Sequence, residues 1–258
     1  MTAGQAKLEY RRPVRDTIES FTSNLLGSEP MMQYVLDRGI TIDQVRDNMV
    51  GFCPPYCRHW FPLLRGRITV TISDAHGRPV ALAGRQYDPM RKATHRSFRE
   101  SHRDDAKSQL LIDKWEAGKW INEPYQKARH LFNLHRAKHF ARKMGYIVCV
   151  EGYFDALVLE NFGLPNTVAL CGTRLTAFHA ALLYRYTDRI IVLMDGDAAG
   201  ENALQHIIPR CNESNIQCKV LSLPPKCDPD EFVLKRGHRL HQICEQLLDS
   251  DYERIDIT

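Results

Sequence analysis

Five carboxylates in the second half of the sequence follow short apolar runs, and their chemistry suits a divalent cation. Glu151 follows YIVCV, Asp195 and Asp197 form a D-G-D motif after RIIVLM, and Asp228 and Asp230 lie shortly after CKVLSL. Magnesium takes oxygen ligands, and proteins commonly hold it with one or two carboxylates plus substrate phosphates. A bound cation also relieves repulsion among clustered anions. The pattern predicts a divalent-metal site; the alternative for each residue alone is a solvated turn or an ordinary helix start.

The apolar runs predict the strands that would bring these carboxylates together. Residues 146–150, 167–170 and 190–194 are short, rich in β-branched residues and bounded by polar residues or Gly, as buried parallel strands are. Segments of helical length, 154–162 and 175–186, lie between them. This alternation predicts an α/β fold with a doubly wound parallel sheet, whose strands present their carboxyl ends at one site-bearing edge.

The motifs EGYFDAL, ALCGT, MDGDAAG and CDPDEF occur in this order over residues 144–237, and together they resemble the Toprim domain. This is the metal-binding module of bacterial primases, type IA and II topoisomerases and some nucleases, so the resemblance implies a Toprim-like parallel sheet flanked by helices. It also implies that Glu151, Asp195 and Asp197 are catalytic metal ligands, with general base as an alternative role for Glu151. The accessory metal ligands would be Asp155, Asp228 and Asp230, and the residues that cap the second strand beside the nucleotide would be Gly172 and Thr173.

The N-terminal half resembles the polymerase core of bacterial primases. YVLDRGITIDQVRDNMVGFCP is similar to the helical entry of that core. ITVTIS, DAHGRP and VALAGR predict a β-hairpin in which, by the resemblance, Arg67 and Arg85 face nucleic acid or nucleotide phosphate. QKARHLFNLHRAK is similar to the H-K-G-x-x-L-Y-G-L-x-x-A segment of the family, which makes Lys127 and Arg129 candidates for binding template or incoming triphosphate. The resemblance implies a mixed α+β subdomain ahead of the Toprim domain.

Charge is distributed unevenly along the chain. The formal net charge is only +4, but the span from Arg58 to Lys143 contains 19 Lys and Arg against 8 Asp and Glu. A basic half beside an acidic metal-binding half is expected when one surface binds a phosphate backbone and another holds cations. On composition alone, a solvated basic face is the favoured alternative.

The stretch from Tyr87 to Tyr125 departs from the family. Primases carry a short K-Y-x-N-S-P-E-like segment in this region, whereas this chain has a longer one, which predicts an insertion or rearrangement. Its lysines are candidate contacts to a nucleic-acid backbone, and its tryptophans are either base-stacking surfaces or, as the favoured alternative, core anchors of a small helical insertion. These residues are Lys107, Lys114, Lys119, Trp115 and Trp120.

Cys53, Cys57 and His59 form a C-x3-C-x-H cluster that could suggest zinc. A structural zinc needs four ligands, usually from two separated pairs, and no second pair is evident downstream. We therefore expect no structural zinc. The eight cysteines are scattered and no apolar stretch opens the chain, which predicts reduced thiols in the cytoplasm of a bacterium or of the host cell of a phage.

These observations predict a DNA-dependent RNA polymerase of the bacterial primase type, encoded by a bacterium or a phage, that makes RNA primers with two or more Mg²⁺ or Mn²⁺ ions. Expected partners are single-stranded DNA, ribonucleoside triphosphates, a replicative helicase and a separate zinc-bearing module, without a membrane. Two alternatives remain: a Toprim-type nuclease, which should lack the hairpin arginines, and a non-catalytic single-stranded DNA-binding accessory protein. The predicted organisation is a basic N-terminal subdomain at 1–143, a Toprim domain at 144–237 and a short C-terminal helical tail at 238–258.

Overall fold

The computed structural model describes residues 13–102, 104–172, 174–237 and 239–257. Its residues form two compact units, each built on one β-sheet. The first unit comprises the described residues up to Tyr34, Thr41–Ile72 and Pro79–Tyr125, and the second comprises Val35–Ile40, Ser73–Arg78 and the described residues from Gln126 onward. No described helix combines the length and the hydropathy that a membrane span requires.

The N-terminal part of the chain contains a four-stranded sheet with helices before and within it. The helices are α1 (Arg15–Leu26), α2 (Glu29–Leu36), α3 (Ile42–Asp47), α4 (Arg91–Ser101) and α5 (Asp105–Glu116). The strands, in sheet order, are β1 (Gly51–Cys53), β2 (Arg67–Ser73), β3 (Pro79–Gln86) and β4 (Trp120–Asn122). β1 pairs antiparallel with β2, and β3 with β4. The predicted hairpin corresponds to β2 and β3, which are neighbours in the sheet.

Helix α1 packs its apolar face on the first sheet. Ile18 and Phe21 of this helix form a buried cluster with Cys53, Leu64 and Leu82. Every residue of β2 is buried, so this strand has no solvent-facing side. Its sequence, RITVTIS, alternates polar and apolar residues as a half-exposed strand does, yet the polar residues are buried as well.

The divergent segment forms a helical pair, α4 and α5, inserted between β3 and β4. Phe98, Ile112 and Trp115 are its buried core, and Trp115 is fully buried. The favoured prediction for Trp115, a core anchor, is therefore confirmed, whereas Trp120 lies half-buried in β4. After helices α4 and α5 the chain reads KWINEP, which matches the K-Y-x-N-S-P-E pattern of the family at its Lys, Asn and Pro. The family segment is therefore present, and it follows the insertion.

The second unit is a parallel five-stranded sheet flanked by helices, and this confirms the predicted fold class. The strands, in sheet order, are β6 (Thr167–Ala169), β5 (Ile147–Val150), β7 (Arg189–Val192), β8 (Gln217–Ser222) and β9 (Arg254–Asp256). The helices are α6 (Leu134–Met144), α7 (Tyr153–Asn161), α8 (Ala177–Tyr184), α9 (Ala198–Glu213), α10 (Pro229–Arg236) and α11 (Arg239–Asp249).

Two features of this unit differ from the predicted organisation. The unit includes the chain from Gln126, ahead of the predicted boundary at 143/144, because α6 contributes Leu134, Ala137 and Ala141 to the core of the parallel sheet. The C-terminal segment is not only helical, since β9 pairs with β8 as a fifth parallel strand. The sequence did not predict β9 because its residues, RID, include a single apolar side chain.

Candidate functional site

The first two carboxylates, Glu151 and Asp155, lie at the end of strand β5 and in the first turn of α7. β5 is fully buried, and Glu151 is the residue that follows it, at the carboxyl end of the strand. Asp155 lies in the first turn of α7, where its Oδ2 accepts a hydrogen bond of 3.0 Å from the backbone N–H of Gly152. Asp155 therefore closes the turn between strand and helix, and its side chain is buried.

Strand β7 delivers the D-G-D motif. Met194 is the last buried residue before it, and Asp195 is only half-exposed. Asp197 is the N-cap of α9, because its Oδ1 accepts a hydrogen bond of 2.8 Å from the backbone N–H of Gly200. This local bond fixes one oxygen of Asp197 and explains why an Asp stands at the start of the helix.

The glycine between the two aspartates allows a close approach to the loop that precedes α10. A β-carbon at Gly196 would lie 2.2 Å from the carbonyl oxygen of Pro224, which no larger residue could tolerate. The backbone N–H of Gly196 donates to Cys227 O (3.1 Å), and that of Lys226 donates to Gly196 O (2.8 Å). These bonds join the D-G-D loop to the loop that carries Asp228.

Helix α10 supplies the remaining two acidic residues. Asp228 stands at its N-cap position and Asp230 in its first turn, where acidic residues are favoured by the helix dipole. Asp230 Oδ1 accepts a hydrogen bond of 2.7 Å from the N–H of Glu231. Helix α10 packs against α7, so its N-terminal carboxylates lie near Asp155.

Electrostatic interactions between pairs of carboxylates link all six predicted residues into one cluster. Burial, and then the charges of Asp228, Glu151, Asp197 and Asp230, raise the pKa of Asp195 to about 7. Burial is also the main cause of the raised pKa of Asp155, followed by the charges of Asp230, Asp195 and Asp228. The pKa of Glu151 is raised by burial, by Asp197 and by Asp228. The cluster is thus an anionic site that a cation would stabilise.

The donor set fits hard divalent cations. Asp195 Oδ1 is buried without a hydrogen-bond partner, which is costly unless something positive binds there. Among the described residues, no three Asp, Glu, His or Cys side chains converge on a single point. Magnesium is commonly held by one or two carboxylates, with water or substrate phosphates completing the shell.

A basic segment lies at the same edge of the parallel sheet. Phe132 forms an antiparallel bridge with Ala169, the last residue of β6, so the residues before Phe132 continue past the carboxyl end of that strand. Lys127 is exposed, and its charge lowers the pKa of Glu151, opposing the acidic neighbours. Lys127 therefore lies close enough to Glu151 for its charge to affect the carboxyl group. An anionic substrate bound there would neutralise the charge of Lys127.

Two residues that the sequence did not single out hold this basic segment. Thr176 Oγ1 donates to Ala128 O (2.7 Å), and Nε2 of the buried His179 lies 3.1 Å from Lys127 O. The same two residues form the capping box of α8, with His179 in place of the usual Glu or Gln. The spacing T-x-x-H before the apolar run AALL was the available signal.

Arg129 and Gly172 occupy the surroundings of this edge. Arg129 is exposed, and its guanidinium lies 4.2 Å from the ring centroid of Phe178. The backbone N–H of Cys171 donates to Glu151 O (2.9 Å), which places the following residue, Gly172, next to the end of β5. Thr173, predicted to line the nucleotide site, lies outside the described residues.

The predicted contact of Arg67 with nucleic acid is incompatible with its position. Its side chain is fully buried and donates to the carbonyls of Gly84, Gly118 and Lys119 at 3.1–3.2 Å, and to that of Trp115. The guanidinium also lies 4.9 Å from the ring centroid of Trp115. Burial lowers the pKa of Arg67 to about 10, so it remains charged at neutral pH. Arg67 anchors the inserted helical pair to β2 instead.

Arg85 is also an internal residue. Only 5% of its surface is exposed, its Nε donates to Tyr34 Oη at 3.0 Å, and its guanidinium lies 5.6 Å from the ring centroid of Trp120. The prediction that it faces phosphate is therefore corrected in the same way. Both errors arise because β2 and β3 are buried on both faces.

The C-x3-C-x-H residues lie in a different environment. Cys53 is buried in the apolar cluster beneath α1, and Cys57 packs against that cluster. His59 Nε2 lies 3.4 Å from Oε1 of the buried Glu123, and burial raises the pKa of Glu123 to about 7. The surroundings of the two cysteines and His59 are therefore those of a packed core that contains one polar pair, His59 and Glu123.

The chain is similar to known proteins in both sequence and fold. Residues 148–233 match the family described as Toprim-like. The DNA primase of Aquifex aeolicus (strain VF5) is 33% identical over 247 residues, which cover 84% of this chain and 45% of that protein. A solved structure of Aquifex aeolicus primase, with zinc-binding and RNA polymerase domains, has a TM-score of 0.72 at 26% identity and covers 90% of this chain and 59% of that one. A solved DnaG primase catalytic domain bound to ssDNA has a TM-score of 0.66 at 23% identity and covers 90% and 76%. The chain thus spans less than half the length of that curated relative.

Proposed function

We propose, because the chain belongs to the family of DnaG-type bacterial DNA primases, that it is an RNA-synthesising core that makes short primers on single-stranded DNA. The observation that carries this proposal is the acidic edge of the parallel sheet with Lys127 beside it. A solved relative of the same fold is bound to single-stranded DNA, which supports that class of template.

The reaction would be the attack of a 3′ hydroxyl on the α-phosphate of a ribonucleoside triphosphate, with pyrophosphate as leaving group. When bound, divalent cations would supply Lewis-acid stabilisation of the attacking oxygen and the phosphates. Glu151 and Asp195 would hold them, together with the oxygen of Asp197 that does not cap α9. Glu151, with its raised pKa, is also suited to receive the proton of the attacking hydroxyl.

The other residues of the edge would support binding. Asp155 fixes the turn after β5, and Asp228 and Asp230 add negative charge from the start of α10. Lys127 and Arg129, both exposed, would bind the triphosphate or the template. Lys127 would do so from a backbone held by Thr176 and His179.

We also infer the number of metal ions, the absence of a structural zinc and the protein partners. The spread of six carboxylates supports two or more Mg²⁺ or Mn²⁺ ions. The apolar surroundings of Cys53 and the contact of His59 with Glu123 support a C-x3-C-x-H cluster without structural zinc. A replicative helicase and a separate zinc-bearing module remain proposed partners by family resemblance.

RNA synthesis is the direct test of this function. The purified chain, labelled ribonucleotides, Mg²⁺ or Mn²⁺ and mixed-sequence single-stranded DNA should yield short RNA products that depend on template and on metal. End-labelled DNA without ribonucleotides should remain intact under the same conditions. Cleavage of that DNA without RNA synthesis would assign a nuclease instead. The buried positions of Arg67 and Arg85 remove the hairpin arginines as a criterion between these two functions.

Stability should depend on pH and on Mg²⁺ in a linked way. The pKa of Asp195 is raised to about 7 in the folded protein, above about 3.9 in the unfolded chain, so the metal-free fold loses stability as pH rises through that range. Mg²⁺ binds the deprotonated cluster and should therefore raise the melting temperature more at a pH of about 8 than at about 5.5. Thermal unfolding in chelator and in excess MgCl2 measures the effect; an equal Mg²⁺ shift at both pH values would contradict it.

A further inference from the structure

The outer face of α4 carries a stripe of three cations. Lys92, Arg96 and Arg99 are spaced four and three residues apart, so they lie on one side of the helix over about 10 Å. All three are exposed. This cationic stripe belongs to the insertion between β3 and β4.

Ion pairing within the described residues does not account for the stripe. Glu116 of α5 pairs with Arg91 at 2.7 Å and with His95 at 2.9 Å, and the one acidic residue of α4 itself, the exposed Glu100, lies beside the stripe. Lys92, Arg96 and Arg99 form no ion pair with any described residue. Like charges three and four residues apart weaken a helix, so the stripe is not explained by the stability of α4.

The stripe is also held on a rigid support. On the opposite face of α4, Arg65 Nη1 donates to Ser97 Oγ (3.2 Å) and to Ser101 Oγ (2.9 Å). Trp115 of α5, packed against Phe98, donates from Nε1 to Arg65 O (2.7 Å). The arginines of the β2 region are therefore internal anchors, and the helix that they hold presents the cations outward.

We propose that the cationic stripe binds the phosphodiester backbone of the template strand, an inference that rests on the proposed function. Three exposed cations on a fixed helix match a line of phosphates, and each contact formed would release a counterion. An acidic protein partner is less favoured. A stable protein interface is centred on buried aromatic or Arg anchors with apolar surroundings, whereas the one aromatic residue of this helix, Phe98, is fully buried inside the unit.

The test is the salt dependence of single-stranded DNA binding by the full chain. The triple variant Lys92→Gln, Arg96→Gln and Arg99→Gln removes three charges and retains good helix formers. Fluorescence anisotropy with a labelled thymidine homopolymer should show weaker binding, and the slope of log Kobs against log salt should become shallower by about 2 if all three residues contact phosphate. Thermal unfolding should show that the variant is folded.

A charge-matched control separates local contact from net charge. Lys143→Gln, Arg185→Gln and Arg239→Gln remove three exposed cations of the parallel-sheet unit, and this variant should keep the slope of the wild type. An unchanged slope in the stripe variant overturns the proposal, and this is also the result expected if the stripe binds an acidic protein instead. An equal loss of slope in the control variant overturns the proposal as well. The outcome is independent of catalysis: a wild type that binds DNA through the stripe yet makes no RNA would contradict the proposed function alone.

Discussion

Asp195→Asn is expected to abolish primer synthesis while leaving the fold at least as stable as that of the wild type. Asp195 has a buried Oδ1 without a hydrogen-bond partner and a pKa raised to about 7, so its charge destabilises the metal-free protein. We therefore expect the carboxylate to bind metal and not to stabilise the fold. Loss of residues that merely support a metal ligand costs about 10–100-fold, so loss of a ligand should cost at least about a hundredfold in synthesis. RNA product formation in Mg²⁺ measures the loss of synthesis, and thermal unfolding in the presence of chelator measures the stability of the fold.

The matched control is Asp249→Asn, which changes an exposed aspartate at the end of α11. It should leave both synthesis and melting temperature unchanged, because an isolated surface charge contributes little to either. Near-normal synthesis by Asp195→Asn would remove this residue from the metal site. A large fall in melting temperature would instead mean that the carboxylate is structural.

Arg67→Lys is expected to destabilise the protein without changing the salt dependence of DNA binding. A lysine keeps the positive charge but cannot present the planar fork that donates to four backbone carbonyls, nor stack in the same way on Trp115. Leaving buried acceptors unsatisfied should cost about 2–4 kcal/mol. Urea unfolding followed by tryptophan fluorescence gives the free energy of unfolding.

Arg46→Lys provides the comparison, since Arg46 is exposed on α3. Its free energy of unfolding should change by less than about 0.5 kcal/mol. If Arg67→Lys proved as stable as wild type but bound single-stranded DNA with a shallower salt slope, Arg67 would contact phosphate and its anchoring role would be wrong.

Three strands of the parallel sheet, β5, β6 and β7, could be predicted because they lie in short apolar runs. Each run ended close to where the strand ends, so Glu151 and Asp195 could be assigned to one edge from the sequence. The proximity of Asp228 could be expected only from the order of motifs. The structural reason, the fit of Gly196 against the carbonyl of Pro224, involves loops about thirty residues apart and has no local signature.

The first unit was harder to predict, because residue type does not reveal which way a side chain points in a strand buried on both faces. Arg67 and Arg85 resembled phosphate ligands and proved to be internal anchors. The inserted helices shifted the KWINEP segment away from its expected place, and β9 contains only Ile255 as an apolar residue. In each case the sheet or the insertion, rather than the local sequence, determines the position.

The most direct test of the central claim, that the acidic edge is a divalent-metal site, is the location of bound Mn²⁺ by anomalous X-ray diffraction from crystals of the full chain. We predict peaks among the carboxylates of Glu151, Asp195 and Asp197, with Mg²⁺ competing for the same positions. The Asp195→Asn crystal should lose the peak nearest that residue. Mn²⁺ bound elsewhere, with no peak at the carboxyl ends of β5 and β7 at saturating metal, would contradict the account.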